Sequence, residues 1–317
     1  MARLAAAPVL IAHGGAGPRG PVEEFAQRRR RLLEAVREGV ALLRGGASAL
    51  DAVIATVVAL ENHPLFNAGT GSLLTLEGTI EMDASVMVAP RGAKPTAGAV
   101  AGVSRVRNPI LLARAVMEQT PHVLLIGAGA ERLARRAGIR LCRPDELITS
   151  RARERWLARR QATAAAVAQA PARALLAGHG TVGAAALDAS GGLAAATSTG
   201  GVPGKIAGRV GDSAIIGAGT FASRDGAASA TGNGEAIIMA ALCRELVESL
   251  RRGRGPEAAS HSIIEKLIGA AGAEAGVIVI DRAGRAGYAH NAGAMQLAVA
   301  DSRGVRHLSP DPIGRRA

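Results

Sequence analysis

Aromatic residues are nearly absent: three Phe, one Trp and one Tyr stand in 317 residues. A core without rings has to be filled by Ala, Val, Leu and Ile, and such small side chains suit layers that approach closely. The same scarcity removes the stacking platforms that single-stranded nucleic-acid binders use. Lysine is scarce as well. Only Lys94, Lys205 and Lys266 occur, so the formal charge of +12 is carried by arginine. Those arginines are scattered along the chain and match no recognition motif, which argues against a nucleic-acid partner. The two cysteines, Cys142 and Cys243, show no CxxC or Cys/His spacing. That excludes a disulfide framework and fits a reduced, cytoplasmic protein. No run approaches the ~20 apolar residues of a membrane span. Arg3 and the apolar residues 4–12 imitate a signal peptide weakly, but they run straight into His13-Gly14-Gly15 and read as a first strand.

Several motifs are incomplete. Gly127-Ala128-Gly129 lacks the third glycine of a dinucleotide fingerprint, and Gly204-Lys205 lacks the rest of a P-loop. His13-Gly14-Gly15 is similar to an esterase oxyanion loop, but the chain has no GxSxG elbow. The histidines show no metal-ligand spacing.

What is present is a succession of short patterned segments. Residues 8–13 read as a buried strand, 22–44 as a helix stopped at Gly45-Gly46, and Ser48 with Asp51 as a capping box opening a helix to Glu61. LLTLEG (73–78) and TIEMDASVM (79–87) read as strands turning at Glu77-Gly78. A strand over 97–103, a helix over 109–119, a short strand over 123–126 and a short helix over 131–137 follow. From about 145 to 180 the chain is rich in Arg and Ala, helical around Trp156 and then without strand signal, which marks a flexible linker. Beyond it, TVGAAALD and GLAAATSTG form a hairpin, 211–221 a strand, 234–250 and 257–268 helices, and GVIVID, GRAGYAHN and QLAVAD closing strands. Strands in blocks and helices in blocks imply an α+β fold with mostly antiparallel sheets.

The segment at the end of the linker carries the chemistry. Thr181 follows Gly180 where the linker meets a strand. A threonine hydroxyl is a poor nucleophile unless a base removes its proton, and an N-terminal threonine has such a base in its own α-amine, with a reference pKa of roughly 7.7–8.0. A chain that cuts itself between Gly180 and Thr181 creates that residue.

IAHGGAG, LFNAGTGS, EMDASVM, AGAVAGVSRVRNP, GTVGAAALD, LAAATSTGG, GRVGDSAIIGAG and TGNGE, in this order from residue 11 to about 240, resemble the plant-type asparaginase/isoaspartyl peptidase family of N-terminal nucleophile hydrolases. The resemblance implies a single four-layer αββα sandwich, cut into an α part (1–180) and a β part (181–317), assembled as a homodimer of αβ units. It implies hydrolysis of L-asparagine and β-aspartyl dipeptides through an ester on Thr181. Thr199 would tune the nucleophile, Arg209 would grip the substrate α-carboxylate and Asp212 its α-ammonium. Thr231 and Gly232 would form the oxyanion hole, Gly234 would offer its carbonyl to the substrate amine, and Asn67 would support the nucleophile. No organic cofactor is implied. A structural sodium ion would rest on the carbonyls of Leu60, Glu61, His63, Phe66, Ala68 and Thr70. Asn233 would stand at the leaving-group side of the pocket. Two alternatives remain. One is a glycosylasparaginase-like hydrolase, although Gly180 stands where that group has Asp; the other is an unprocessed homologue acting as a basic binding protein.

Overall fold

Residues 7–166 and 180–313 are described by a computed structural model, with only the backbone path for 162–166. Strand β1 (Val9–Gly17) leads into helices α1 (Val22–Arg44) and α2 (Ala49–Glu61). Strands β2 (Met82–Ala89) and β3 (Thr96–Val103) precede α3 (Pro109–Gln119), β4 (Leu124–Ile126), α4 (Gly127–Arg136) and α5 (Ser150–Ala166). Beyond Gly180 come β5 (Val182–Leu187), β6 (Leu193–Thr199), β7 (Thr220–Ser223) and β8 (Gly226–Gly232). Helices α6 (Gly234–Ala240), α7 (Leu242–Arg251) and α8 (Pro256–Ile263) follow. Strands β9 (Ala275–Asp281), β10 (Ala286–His290), β11 (Ala294–Asp301) and β12 (Gly304–Leu308) complete a mixed α/β architecture.

Eight strands form one sheet in the order β12-β11-β1-β5-β6-β2-β3-β4, and four form a second, β10-β9-β8-β7. Every pairing of named strands is antiparallel except β3 with β4. Three apolar clusters hold these parts together. Side chains of α1, α2 and α3 pack on one face of the large sheet through Leu10, Ala184, Ala186, Ala194 and Ala196. The alternate residues Ile11, Ala185, Leu187 and Ala195 meet Ala227, Ile278 and Ile280 of the small sheet. The far face of the small sheet, with Ala228, Val277 and Val279, packs on α7 and α8. Strands β5 and β6 are therefore buried on both faces throughout, which explains why they read as continuous Ala-rich runs rather than as an alternation.

The period of two along these strands decides where the chemistry lies. Thr181 shares parity with Ala185 and Leu187, and Thr197 and Thr199 share it with Ala195. All three therefore sit on the face of the large sheet turned to the small one. Ser198 has the opposite parity and meets Glu61 of α2 (2.6 Å).

Several expectations need correction. LLTLEG is not a ladder strand: Leu74 makes one isolated bridge to Ile80, and the Leu76 amide bonds to the Lys205 carbonyl (2.9 Å). Of 211–221, only Thr220 and Phe221 lie in a strand, because the Asp83 carboxylate takes the Gly211 amide and Asp212–Ala214 turn as a 3-10 segment. The helix expected over 234–250 breaks at Ala241 (φ 44°), where the amides of Cys243 and Arg244 bond to the carbonyls of Ala218 and Gly217. The helix over 257–268 passes into a π-helical turn at Ile264–Gly269. Strand β1 runs past His13 to Gly17 across a bulge. The expected linker contains α5, and its residues 167–179 lie outside the described residues, as do 1–6.

Candidate active site

Thr181 is buried at the start of β5, one residue after Gly180. Its hydroxyl donates to the Thr199 hydroxyl on the neighbouring strand (3.3 Å). Thr199 also accepts the Gly201 amide (3.0 Å), so its side chain is fixed from both directions. Asn67 braces the same corner. Its Nδ2 donates to the Gly201 carbonyl (2.6 Å), its Oδ1 accepts the Leu73 amide (2.9 Å) and its carbonyl accepts the Gly200 amide (3.0 Å). A Cβ on Gly180 would stand 3.0 Å from the Asn67 Cβ, so the residue before Thr181 is pressed against this support.

His13 is the neighbour that motif reading does not assign. It is fully buried, and burial pushes its pKa down to about 3, against a hydrogen bond to the Thr181 carbonyl that pulls it up. The ring is therefore neutral at ordinary pH. A carbonyl can only accept, so Nδ1 carries the proton toward Thr181 (3.1 Å) and Nε2 accepts from the Ser229 hydroxyl (2.9 Å). Behind Ser229 a chain of hydroxyls runs between the sheets, to Thr197 (2.7 Å), Thr220 (2.5 Å) and Ser85 (2.8 Å). Thr220 donates to Thr197, while the Thr197 and Ser85 hydroxyls also reach the carbonyls of Gly219 (2.9 Å) and Ser213 (2.6 Å). The space is full: a Cβ on Gly183 would collide with Ser229 Oγ and His13 Nε2.

Thr231 and Gly232 end β8, opposite this corner. The Thr231 hydroxyl accepts the Ala16 amide from the bulged part of β1 (3.2 Å). Gly15 beside it has φ 102°, and a Cβ there would lie 2.8 Å from the Gly180 Cα. Gly232 has φ 142°, a backbone geometry that favours glycine. The bulge thus touches both the Gly180–Thr181 pair and Thr231.

Arg209, Asp212 and Gly234 converge on a charged corner. A Cβ on Gly234 would stand 2.6 Å from Arg209 Nη2 and 2.9 Å from Asp212 Oδ1. Asp212 is fully enclosed, with Oδ2 lacking a hydrogen-bond partner. Burial drives its pKa up to about 7, while Arg209 draws it down and the Asp83 and Glu235 carboxylates add to the rise. Arg209 donates through Nε to Glu235 (3.0 Å). Its Nη2 lies 2.9 Å from the same oxygen but is not aligned as a hydrogen bond. Both Asp212 and Arg209 thus keep unused hydrogen-bonding capacity in an enclosed place, which is costly unless a ligand completes it.

Asp83 connects the two corners. It pairs opposite Thr199 in the sheet, and its carboxylate accepts the amides of Gly211 (2.9 Å) and Gly102 (3.0 Å). Burial raises its pKa, with Lys205 the main opposing charge. Lys205 is itself buried, its ammonium donating to the Glu81 carbonyl (2.7 Å). The signal for Asp83 was in EMDASVM, but no local pattern tells that the aspartate reaches across to 211. The Asn233 side chain accepts the Ala236 amide (2.9 Å) and caps α6.

The end of α2 and the turn after it hold Leu60, Glu61, His63, Phe66, Ala68 and Thr70. The Glu61 side chain faces away, to Ser198 and to the Ile110 amide (3.1 Å), and burial lifts its pKa to about 8. A Cβ on Gly69 would lie 2.5 Å from the Glu61 carbonyl oxygen, and one on Gly71 would run into that of Phe66. The turn is folded closely on its own carbonyl oxygens at the negative end of the α2 dipole. Such an uncharged oxygen set fits a hard monovalent cation. Among the described residues no group of three or more His, Cys, Asp or Glu could hold a metal, and no helix is long and apolar enough to cross a membrane.

The asparaginase family profile matches residues 6–309. The chain is 44% identical over 292 residues to an isoaspartyl peptidase of Escherichia coli strain K12, covering 89% of each protein. It is 42% identical over 294 residues to a plant-type L-asparaginase of Pyrococcus horikoshii, covering 89% of this chain and 92% of that one. It is 41% identical over 278 residues to an isoaspartyl peptidase/L-asparaginase of Danio rerio, covering 87% of each.

Proposed function

The chain belongs to the asparaginase family and is a hydrolase, and from that premise we propose that it cuts itself before Thr181 and then hydrolyses L-asparagine and β-aspartyl dipeptides. The observation that carries the reading is the contact of the Thr181 hydroxyl with Thr199, directly after a glycine pressed on Asn67. We read the packing of helices, two sheets and helices as the four-layer αββα sandwich of N-terminal nucleophile hydrolases. The unpaired, buried thiols Cys142 and Cys243 suit reducing surroundings such as the cytoplasm.

In maturation, Thr181 Oγ attacks the Gly180 carbonyl carbon, the peptide C–N bond breaks, and an ester replaces it. Water hydrolyses that ester, leaving a Gly180 carboxylate and a free Thr181 amine. In turnover, the amine takes the hydroxyl proton as Oγ attacks the substrate β-carbonyl. The developing oxyanion is held by the Thr231 hydroxyl and the Gly232 amide. The C–N bond breaks, the leaving amine receives the proton, and water cleaves the β-aspartyl ester to release aspartate. Arg209 and Asp212, with opposite charges on one loop, match the α-carboxylate and α-ammonium of the aspartyl half, and the Gly234 carbonyl offers a further acceptor to the ammonium. His13 holds the Thr181 carbonyl and so orients the nucleophile. The carbonyls of Leu60, Glu61, His63, Phe66, Ala68 and Thr70 would hold a sodium ion, whose charge offsets their crowded dipoles.

Intact-mass measurement of the purified protein after incubation at neutral pH tests this. Fragments 1–180 and 181–317, together with ammonia release from asparagine, are expected. An uncut chain that releases no ammonia would overturn the reading.

A further inference from the structure

Helix α5 carries Arg151, Arg155 and Arg159 four residues apart, on one face with Trp156. That face and Arg28 of α1 border a cavity of about 330 Å³ that Gly180 and Asn67 close at its inner end. Among the described residues lining it, Glu24 is the single acid against four guanidinium groups. Glu24 is already engaged: it pairs with Arg151 and lies 3.9 Å from Arg155. Arg28 gives one donor to the Gly14 carbonyl (2.6 Å) and keeps its buried Nε unpartnered. Burial lowers its pKa to about 10, and the charges of Arg151 and Arg155 push it the same way, opposed by Glu24. The cavity is thus partly open to solvent, larger than a water site and lined by more guanidinium groups than carboxylates.

Its position follows from the order of the reaction, and the inference rests on Thr181 being the nucleophile. The departing amine of the substrate has to receive its proton from the Thr181 amine. That amine appears where Gly180 is bonded, so the leaving group stands on the Gly180 side. The aspartyl half lies at the other end, against Arg209 and Asp212.

We propose that the arginine-lined cavity receives the leaving residue and selects β-aspartyl peptides whose leaving residue is anionic, with an acidic side chain beside its α-carboxylate. Apolar and basic leaving residues engage the same walls without the charge match. Free asparagine releases ammonia and gains nothing from the cavity.

The test is kcat/KM of the mature protein for β-aspartyl-glutamate, β-aspartyl-leucine and β-aspartyl-lysine at low and high salt. The expected order is glutamate, leucine, lysine, with a glutamate-to-lysine ratio of about tenfold or more at low salt that shrinks as salt rises. Arg155→Glu reverses a charge on a side chain that is half exposed, and the ratio is expected to fall about tenfold. The ratio is taken within one preparation, so a loss of folded protein cancels. Equal rates for the three dipeptides, a preference for lysine, or a ratio untouched by Arg155→Glu would overturn the proposal while leaving the hydrolase reading intact. Failure to cleave any of the dipeptides or asparagine would remove the reaction itself.

Discussion

Two neighbourhoods meet at Thr181 and are built on different principles. Toward the small sheet its surroundings are neutral and in contact: His13, Ser229, Thr197 and Thr220 pass hydrogen bonds along a line in which even the missing side chain of Gly183 is needed space. Toward the loop from Lys205 to Asp212 the surroundings are charged and incompletely satisfied, with Asp212 Oδ2 unpartnered and Arg209 shared with Glu235. Groups that hold a nucleophile must not move, so they are matched to one another. Groups that hold a substrate must be left with something to bind.

The junction itself gives the largest expected effect. Thr181→Ala removes the shared atom, so the chain is expected to stay uncut and to release no ammonia. Activity in that variant, above the background of an inactive preparation, would sink the mechanism.

The charged side comes next. The Asp212 pKa of about 7 in the folded protein lies above its unfolded value of roughly 4. Its contribution to stability is therefore full below about pH 4 and is lost as pH rises through 7. Asp212→Asn is expected to unfold at higher urea than the unsubstituted protein, by a gap that opens between pH 4 and pH 7 and reaches a few kcal/mol. Its kcat/KM for asparagine should fall, because the ammonium loses its countercharge. A gap that is flat across this range would mean that Asp212 ionises freely.

The neutral side is expected to respond to volume instead. Gly183→Ala places a methyl group against Ser229 and His13 and should cost about 2 kcal/mol, with self-cleavage slowed because Thr181 is displaced. Urea unfolding and a time course of fragment appearance read the two effects. Unchanged stability would show that the hydroxyl line can yield.

Ser229→Ala is the mildest. It leaves His13 Nε2 without its donor and is expected to cost about 1 kcal/mol. Because the ring is neutral in either case, the pH profile of activity should keep its shape. A new inflection between pH 5 and 7 would show that Ser229 sets the His13 charge.

Legibility in the sequence divides along a similar line. The hairpin of β5 and β6 is plain because apolar runs flank Ala189-Ser190-Gly191, and Asp188 closes the turn through Ser190 and Gly192. The motif residues Thr181, Thr199, Arg209 and Asp212 could be named from the resemblance, and two pairs of them stand together: Thr181 with Thr199, and Arg209 with Asp212. Their cross-links were not legible. A strand pattern over 211–221 cannot reveal that Asp83, more than a hundred residues earlier, takes the Gly211 amide. The apolar run over 234–250 is equally silent about the Gly217 and Ala218 carbonyls that break it at Ala241. Strands β8 and β12 are not marked by the sequence because β8 is a run of Gly, Ala, Ser and Thr and β12 is half exposed, so neither shows the alternation that identifies a strand.

The order of the large sheet has a consequence for assembly. Counted from one edge, β12 and β11 lie after residue 181, β1 before it, β5 and β6 after it, and β2, β3 and β4 before it. A break at 180–181 therefore divides the chain but not the sheet, whose two contributors are laced through each other like the fingers of folded hands. Neither piece owns a complete set of neighbours, so each needs the other while it folds. The proposed break would therefore have to come after folding, and once made it would change where the backbone ends without freeing either half to leave.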